Sequence, residues 1–306
     1  MKQKNAAIVS IVSNTSLVLF KIIAGIITGS VSIISEAIHS SIDLAAAIMA
    51  FFSIRQAGVP PDSQHPYGHG KIENLSAVAE AMLIILAAVF IVIEAVEKIK
   101  TGVQLSMPGV AIAVMGISVV VNFLVARYLY KVAKETDSPA LEADAKHLSA
   151  DIYSSLAVLA AIVLVALTGR QILDPIAAVI ISLFIFYEGV MITKKSIGSL
   201  LDNSLPEDEV SSIRKILESE SGHIKDYHEL RTRKAGSERH IDLHLTVCAS
   251  ETISKTHATM DIIENRISMQ LNNCKVVIHP EPCNAMTDRC PDECNWNKDN
   301  GGIRSG

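Results

Sequence analysis

Six apolar stretches fill the first two-thirds of the chain: residues 6–28, 31–54, 75–99, 108–129, 148–168 and 175–192. Ile, Val, Leu and Ala dominate each, and Gly, Ser or Pro breaks them at Gly29 with Ser30, residues 58–61, Gly102, Ser138 with Pro139, and Gly169 with Arg170. A helix of about 20 residues crosses the hydrocarbon of a bilayer, so the pattern predicts six transmembrane helices. After Leu205 the pattern is that of a small soluble domain. Residues 206–221 read as a helix opened by Pro206 and the acidic turn 207–209. Residues 228–234 read as a strand. Residues 239–247 alternate strictly, with Ile241, Leu243, Leu245 and Val247 on one face. A helix over 254–271 places Met260, Ile263 and Ile267 at core spacing, and 275–279 is a last short strand. The order α-β-β-α-β predicts a two-layer α+β domain. Residues 284–306 are polar and rich in Asn, Asp and Gly, the composition of a disordered tail.

Composition agrees with a change of solvent along the chain. Of 306 residues 49% are apolar and 19% charged, with a mean hydropathy of +0.35. Residues 1–203 hold 14 Lys/Arg and 15 Asp/Glu, and residues 204–306 hold 13 and 17 in half the length. The expected parts are therefore a membrane domain over 1–205, a cytosolic domain over 206–283 and the tail. A net charge of −5 gives no electrostatic reason for a nucleic-acid partner. Five Cys are too few for a disulfide scaffold, and no removable signal peptide opens the sequence. Ten Lys/Arg fall in the N-terminus, the second and fourth loops and the exit from span six, against three on the opposite side. That bias predicts a multi-pass protein of the cell membrane with both termini cytoplasmic.

Charges inside spanning segments cost several kcal/mol and need a task or a partner. Span two carries His39 and Asp43 in SEAIHSSIDL, and span five carries His147 and Asp151 in AKHLSADIYS. Positions i and i+4 share a helix face, so two such faces could offer two imidazole nitrogens and two carboxylate oxygens. That set suits Zn2+ or a similar divalent transition ion, whereas each pair alone could be a helix-packing hydrogen bond. Facing pairs must share a depth, which predicts that the fifth helix starts nearer Glu142 than hydropathy places it. Asn14, Glu80 and Asn122 read as interhelical hydrogen bonders.

The second loop holds Asp62, His65 and His69, a compact carboxylate and imidazole set. In the soluble domain His240, Asp242 and His244 share the non-apolar face of one strand, where solvent or metal would explain them equally. His228, His257, His279 and Glu281 add candidate ligands from other elements and tip the balance towards metal. There is no His-Glu-x-x-His for a metalloprotease and no Gly-x4-Gly-Lys-Ser/Thr for an ATP-driven pump, so an enzyme is not expected.

The two His-x-x-x-Asp spans, the loop HPYGHGKIE and the ending VVIHPEPC together resemble the cation diffusion facilitator family, most closely its bacterial zinc and iron efflux branch, over about residues 5–283. The resemblance implies an α-helical polytopic membrane protein with a metallochaperone-like cytosolic domain. It implies a homodimeric, proton-coupled antiporter exporting Zn2+, with Fe2+, Mn2+ or Cd2+ as other cargoes of the same fold, and Zn2+ also as a structural or regulatory ion. A membrane-anchored metal sensor is the alternative from another class, and the intramembrane His and Asp argue against it. By the same resemblance the transport site is His39, Asp43, His147 and Asp151, and the loop site is Asp62, His65 and His69. His228, His244, His257, His279 and Glu281 would hold two ions across the dimer interface. His39 and Glu281 stand where the family often has Asp, and a tail with Cys290 and Cys294 lies outside its pattern.

Overall fold

The computed structural model describes residues 2–28, 31–101, 109–168, 172–220 and 224–283. The tail, with Cys290 and Cys294, lies outside them. The chain divides into two compact units, Met1–Leu200 and Leu201–Gly306.

The first unit consists of α1 (Lys2–Thr28), α2 (Val31–Ala57), α3 (Lys71–Thr101), α4 (Gly109–Thr136), α5 (Pro139–Thr168) and α6 (Leu173–Leu200). The shortest has 27 residues, about 40 Å at 1.5 Å per residue, enough to cross a bilayer with a turn to spare. Among the described residues, Lys2–Ala24, Lys71–Glu97 and Gly116–Thr136 are by themselves long and apolar enough to do so.

Each helix outruns its apolar stretch, and α5 does so most usefully. It begins at Pro139, nine residues before the hydropathy boundary. Asp137 takes a left-handed φ of 55° to end α4, and the Ser138 hydroxyl accepts a hydrogen bond from the Leu141 N–H. Pro139 then fills the first helical position, where a missing N–H costs nothing. The polar turn from Glu142 to His147 is thus helical, and His147 reaches the depth that a partner on α2 requires.

Small residues let the helices approach closely. Ala77, Ala81 and Ala88 of α3 and Ala143 of α5 are buried with Ile185 and Ile192 of α6. In hydrocarbon such close packing replaces the hydrophobic drive available in water. Gly189 marks the tightest point: a Cβ there would lie 2.7 Å from Ile85 Cγ1 and 3.3 Å from the Ala81 carbonyl oxygen. Gly189→Val should therefore push α6 off α3 and destabilise the protein by about 1–3 kcal/mol. Thermal unfolding in detergent measures this, and an unchanged midpoint would contradict it.

The second unit contains α7 (Glu207–Ser219), β1 (Asp226–Ala235), β2 (Glu238–Val247), α8 (Ile253–Gln270) and β3 (Cys274–Pro282). The sheet order is β1-β2-β3, with β1 antiparallel and β3 parallel to the central β2. Gly236, at φ 62°, makes the tight β1–β2 turn, and α8 is the crossover that a parallel neighbour needs. The alternating residues Ile241, Leu243, Leu245 and Val247 are buried against Ile213 and Leu217 of α7 and Ile263 and Ile267 of α8. Met260 packs at the edge of that core.

The other face of β2 differs from the row of three equivalent residues that alternation predicts. Asp242 is exposed, His244 half-buried and His240 buried. His240 lies between Arg233 of β1 and Lys275 of β3 in the register. Burial first, then the Arg233 charge, holds its imidazole below the ordinary histidine value, with Glu238 opposing and Lys275 adding to the effect. Two cationic neighbours make it a poor place for a metal ion. Four residues along, the same strand offers the opposite environment.

Candidate metal centres

Among the described residues, three groups of His and carboxylate side chains bring one ligand atom each to within 4.8 Å of the others. The first is inside the helical unit. Asp43 of α2 and His147 of α5 are buried, and His147 Nε2 lies 3.1 Å from Asp43 Oδ1. Asp151, one turn beyond His147, completes the group. His147 Nδ1 is buried with no hydrogen-bond partner among the described residues. An imidazole with one nitrogen on a carboxylate and the other unused has the donors of a transition-metal ligand. His39 lies one turn before Asp43 on α2, and its side chain is outside the described ones.

The second group is the loop between α2 and α3. Asp62 Oδ1 accepts from the backbone N–H of Gln64 at 2.9 Å and of His65 at 2.6 Å, an Asx-type turn. The His65 N–H is the main cause holding the Asp62 carboxyl below the usual carboxylate range; partial burial opposes it, and the Gln64 N–H and both imidazoles assist. Gly68, at φ 86°, turns the chain so that His69 Nε2 lies 3.4 Å from Asp62 Oδ2 and the two rings stand 4.6 Å apart. His69 Nδ1 is 3.4 Å from the Val59 carbonyl, the sort of backbone contact that orients a ligating ring.

The third group is on the sheet of the second unit. Register places His244 of β2 opposite both His228 of β1 and His279 of β3. Glu281 divides its carboxylate between them: Oε2 is 3.2 Å from His228 Nε2 and Oε1 is 3.0 Å from His244 Nδ1. His279 is at the rim, 3.9 Å from Glu281 Oε1. A carboxylate with each oxygen on a different imidazole has the geometry to bridge two ions. His257 stands apart from this group. It pairs with Asp261 at 3.2 Å on the exposed side of α8 and lines a surface hollow with Glu281 and Pro280.

Two acids absent from the sequence-derived ligand sets adjoin these groups. Glu229 lies 3.8 Å from His244 Nε2, turned there by a bulge after His228 and its own φ of 50°. Only its place beside His228 could have flagged it. Asp144, on α5 one turn before His147, is buried and interacts with the charges of His147, Asp43 and Asp151. Its three-residue spacing from His147 was the available signal. The interhelical bonds expected of Asn14, Glu80 and Asn122 are not seen at Asn14 Nδ2, Glu80 Oε2 or Asn122 Oδ1, none of which has a partner among the described residues.

Known proteins match both units. Residues 7–201 match the cation efflux transmembrane domain, and residues 205–283 match the cytoplasmic domain of cation efflux proteins. An uncharacterised transporter of Synechocystis sp. is 33% identical over 276 residues, 90% of this chain and 89% of that protein. The cation-efflux pump FieF of Serratia proteamaculans is 32% identical over 285 residues, 93% and 94% of the two chains. FieF of Escherichia fergusonii is 32% identical over 281 residues, 92% and 93%.

Proposed function

The chain belongs to the cation efflux family, with a transmembrane domain and a cytoplasmic domain, and from that premise we propose that it exports Zn2+ from the cytoplasm in exchange for protons, as a homodimer. One observation carries the reading: a buried carboxylate, a buried imidazole and a half-buried carboxylate on α2 and α5 converge within the transmembrane domain. An anchor for a sensor would have no need of them.

With His39 one turn from Asp43, the set becomes two imidazoles and two carboxylates. Imidazole favours borderline ions such as Zn2+, whereas carboxylates also accept harder ions such as Mn2+. Ligands must be deprotonated to hold metal, so protons compete for the same atoms and affinity falls with pH. An ion loaded from the neutral side is thereby released to the acidic side. The positive-inside bias supports a cytoplasmic position for the Lys/Arg-rich ends, among them Lys2, Arg55, Lys134 and Lys195.

Inside-out vesicles carrying the protein test this directly. An acid interior should drive Zn2+ inward, and dissipating the proton gradient should stop it. Uptake that ignores the gradient would overturn the coupling. In the same assay His39→Asp, which exchanges an imidazole for a third carboxylate, should relax the preference for Zn2+ over Mn2+ and Cd2+. Equal transport of all three by the unaltered protein would show that His39 is no filter.

A further inference from the structure

Asp144 and Glu80 are not used by the transport cluster, yet they are among the most deeply buried acids in the protein. Asp144 is 1% exposed and Glu80 is fully buried. Both Asp144 oxygens and Glu80 Oε2 lack a hydrogen-bond partner among the described residues, and Glu80 Oε1 accepts only from Ser76 of its own helix, at 3.3 Å. The two carboxylates face one seam. α3 packs on α5, Glu80 and Asp144 act on each other electrostatically, and buried Ala77, Ala81, Ala140 and Ala143 flank them.

A third helix adds a polar atom. Ser10 of α1 lies beside Asp144, but its buried hydroxyl makes no hydrogen bond of good geometry among the described residues. An unsatisfied polar group in hydrocarbon costs several kcal/mol, and two carboxylates sharing a seam repel each other as well. A cation with some of its water would relieve both costs. The candidate ligand atoms, two carboxylates and one hydroxyl, are oxygens, the set that suits a partly hydrated divalent ion and not a tightly held tetrahedral one.

Position along the helices gives the site its meaning. Asp144 precedes His147 by three residues on α5, about 4.5 Å closer to the Pro139 end. That end carries Lys146 nearby and the Lys134 turn of α4, the side assigned to the cytoplasm above. We propose that Asp144 and Glu80 form a waiting site for the divalent cargo, one helical turn on the cytoplasmic side of Asp43, His147 and Asp151. This inference rests on the transport reading of that cluster. Two anionic oxygens without imidazole bind weakly and exchange quickly, and they raise the local cation concentration next to the tighter site.

The test is initial-rate Zn2+ uptake into proteoliposomes against concentration, with the full-length protein. Asp144→Asn and Glu80→Gln keep shape and remove charge. Each should raise KM about tenfold, the loss of electrostatic focusing, and leave kcat within about twofold. Because both acids would act on one ion, the double variant should raise KM no further than either single one. KM unchanged in both variants, kcat lost at constant KM, or a multiplicative double variant would each overturn the proposal. Aggregation of both variants in gel filtration would assign the pair to packing and overturn it too. An Asp151→Asn control separates the two readings: if it transports normally, the transport cluster is misassigned, whatever the Asp144 result.

Discussion

Asp151→Ala should abolish proton-driven cation transport while the cytoplasmic cluster keeps its ions. Asp151 supplies one of two carboxylates in a group whose other described members, Asp43 and His147, are buried. Deleting it removes a negative charge and a ligand from that group. Losing even a group that merely orients a ligand costs 10–100-fold in metal affinity, so losing the ligand should cost about 100-fold or more. His147→Ala should do the same, and it also leaves Asp43 without the imidazole now 3.1 Å away. Stopped-flow uptake with a metal-sensitive dye inside proteoliposomes reads the loss. Metal counting on the same preparation checks that the cytoplasmic ions remain. Full transport by Asp151→Ala would remove this cluster from the mechanism.

Glu281→Ala should weaken metal binding at the sheet cluster and prevent any metal-dependent approach of two copies' cytoplasmic domains. Glu281 reaches His228 through one oxygen and His244 through the other, so it connects all three strands of the sheet. Without it the imidazoles and the more distant Glu229 remain, but the carboxylate that touches both His228 and His244 is gone. Residues 204–306 carry 17 acids against 13 bases, so two such domains brought together would repel mildly without cations. His257 is exposed and pairs with Asp261, outside this cluster. Spin labels on the two cytoplasmic domains should report a shorter separation on adding Zn2+ in the unaltered protein and no change in Glu281→Ala. An equal contraction in both would refute a bridging role for Glu281.

Much of this molecule is written in local periodicity. The six long apolar runs, the α-β-β-α-β order and the burial of Ile241, Leu243, Leu245 and Val247 follow from hydropathy at helical or strand spacing, which each element imposes on itself. So does the pairing of His147 with Asp151 on one face of α5, because i and i+4 are neighbours on any helix. Even the early start of α5 was legible once the two His-x-x-x-Asp pairs were required to share a depth. The motifs also announced the family, since their combination, more than any one of them, is specific.

What periodicity could not reach was the choice among equivalent positions. His240 and His244 share a strand face, yet cross-strand register puts one between Arg233 and Lys275 and the other between His228 and His279. Glu229 joins His244 only through a bulge in β1, and Asp144 meets Glu80 only because α3 packs on α5. Each of these depends on which element lies alongside and at what offset, and that is set by side-chain packing between segments far apart in the chain. A residue's own neighbours determine which way it points along its helix or strand; the charge it meets there is decided by the fold.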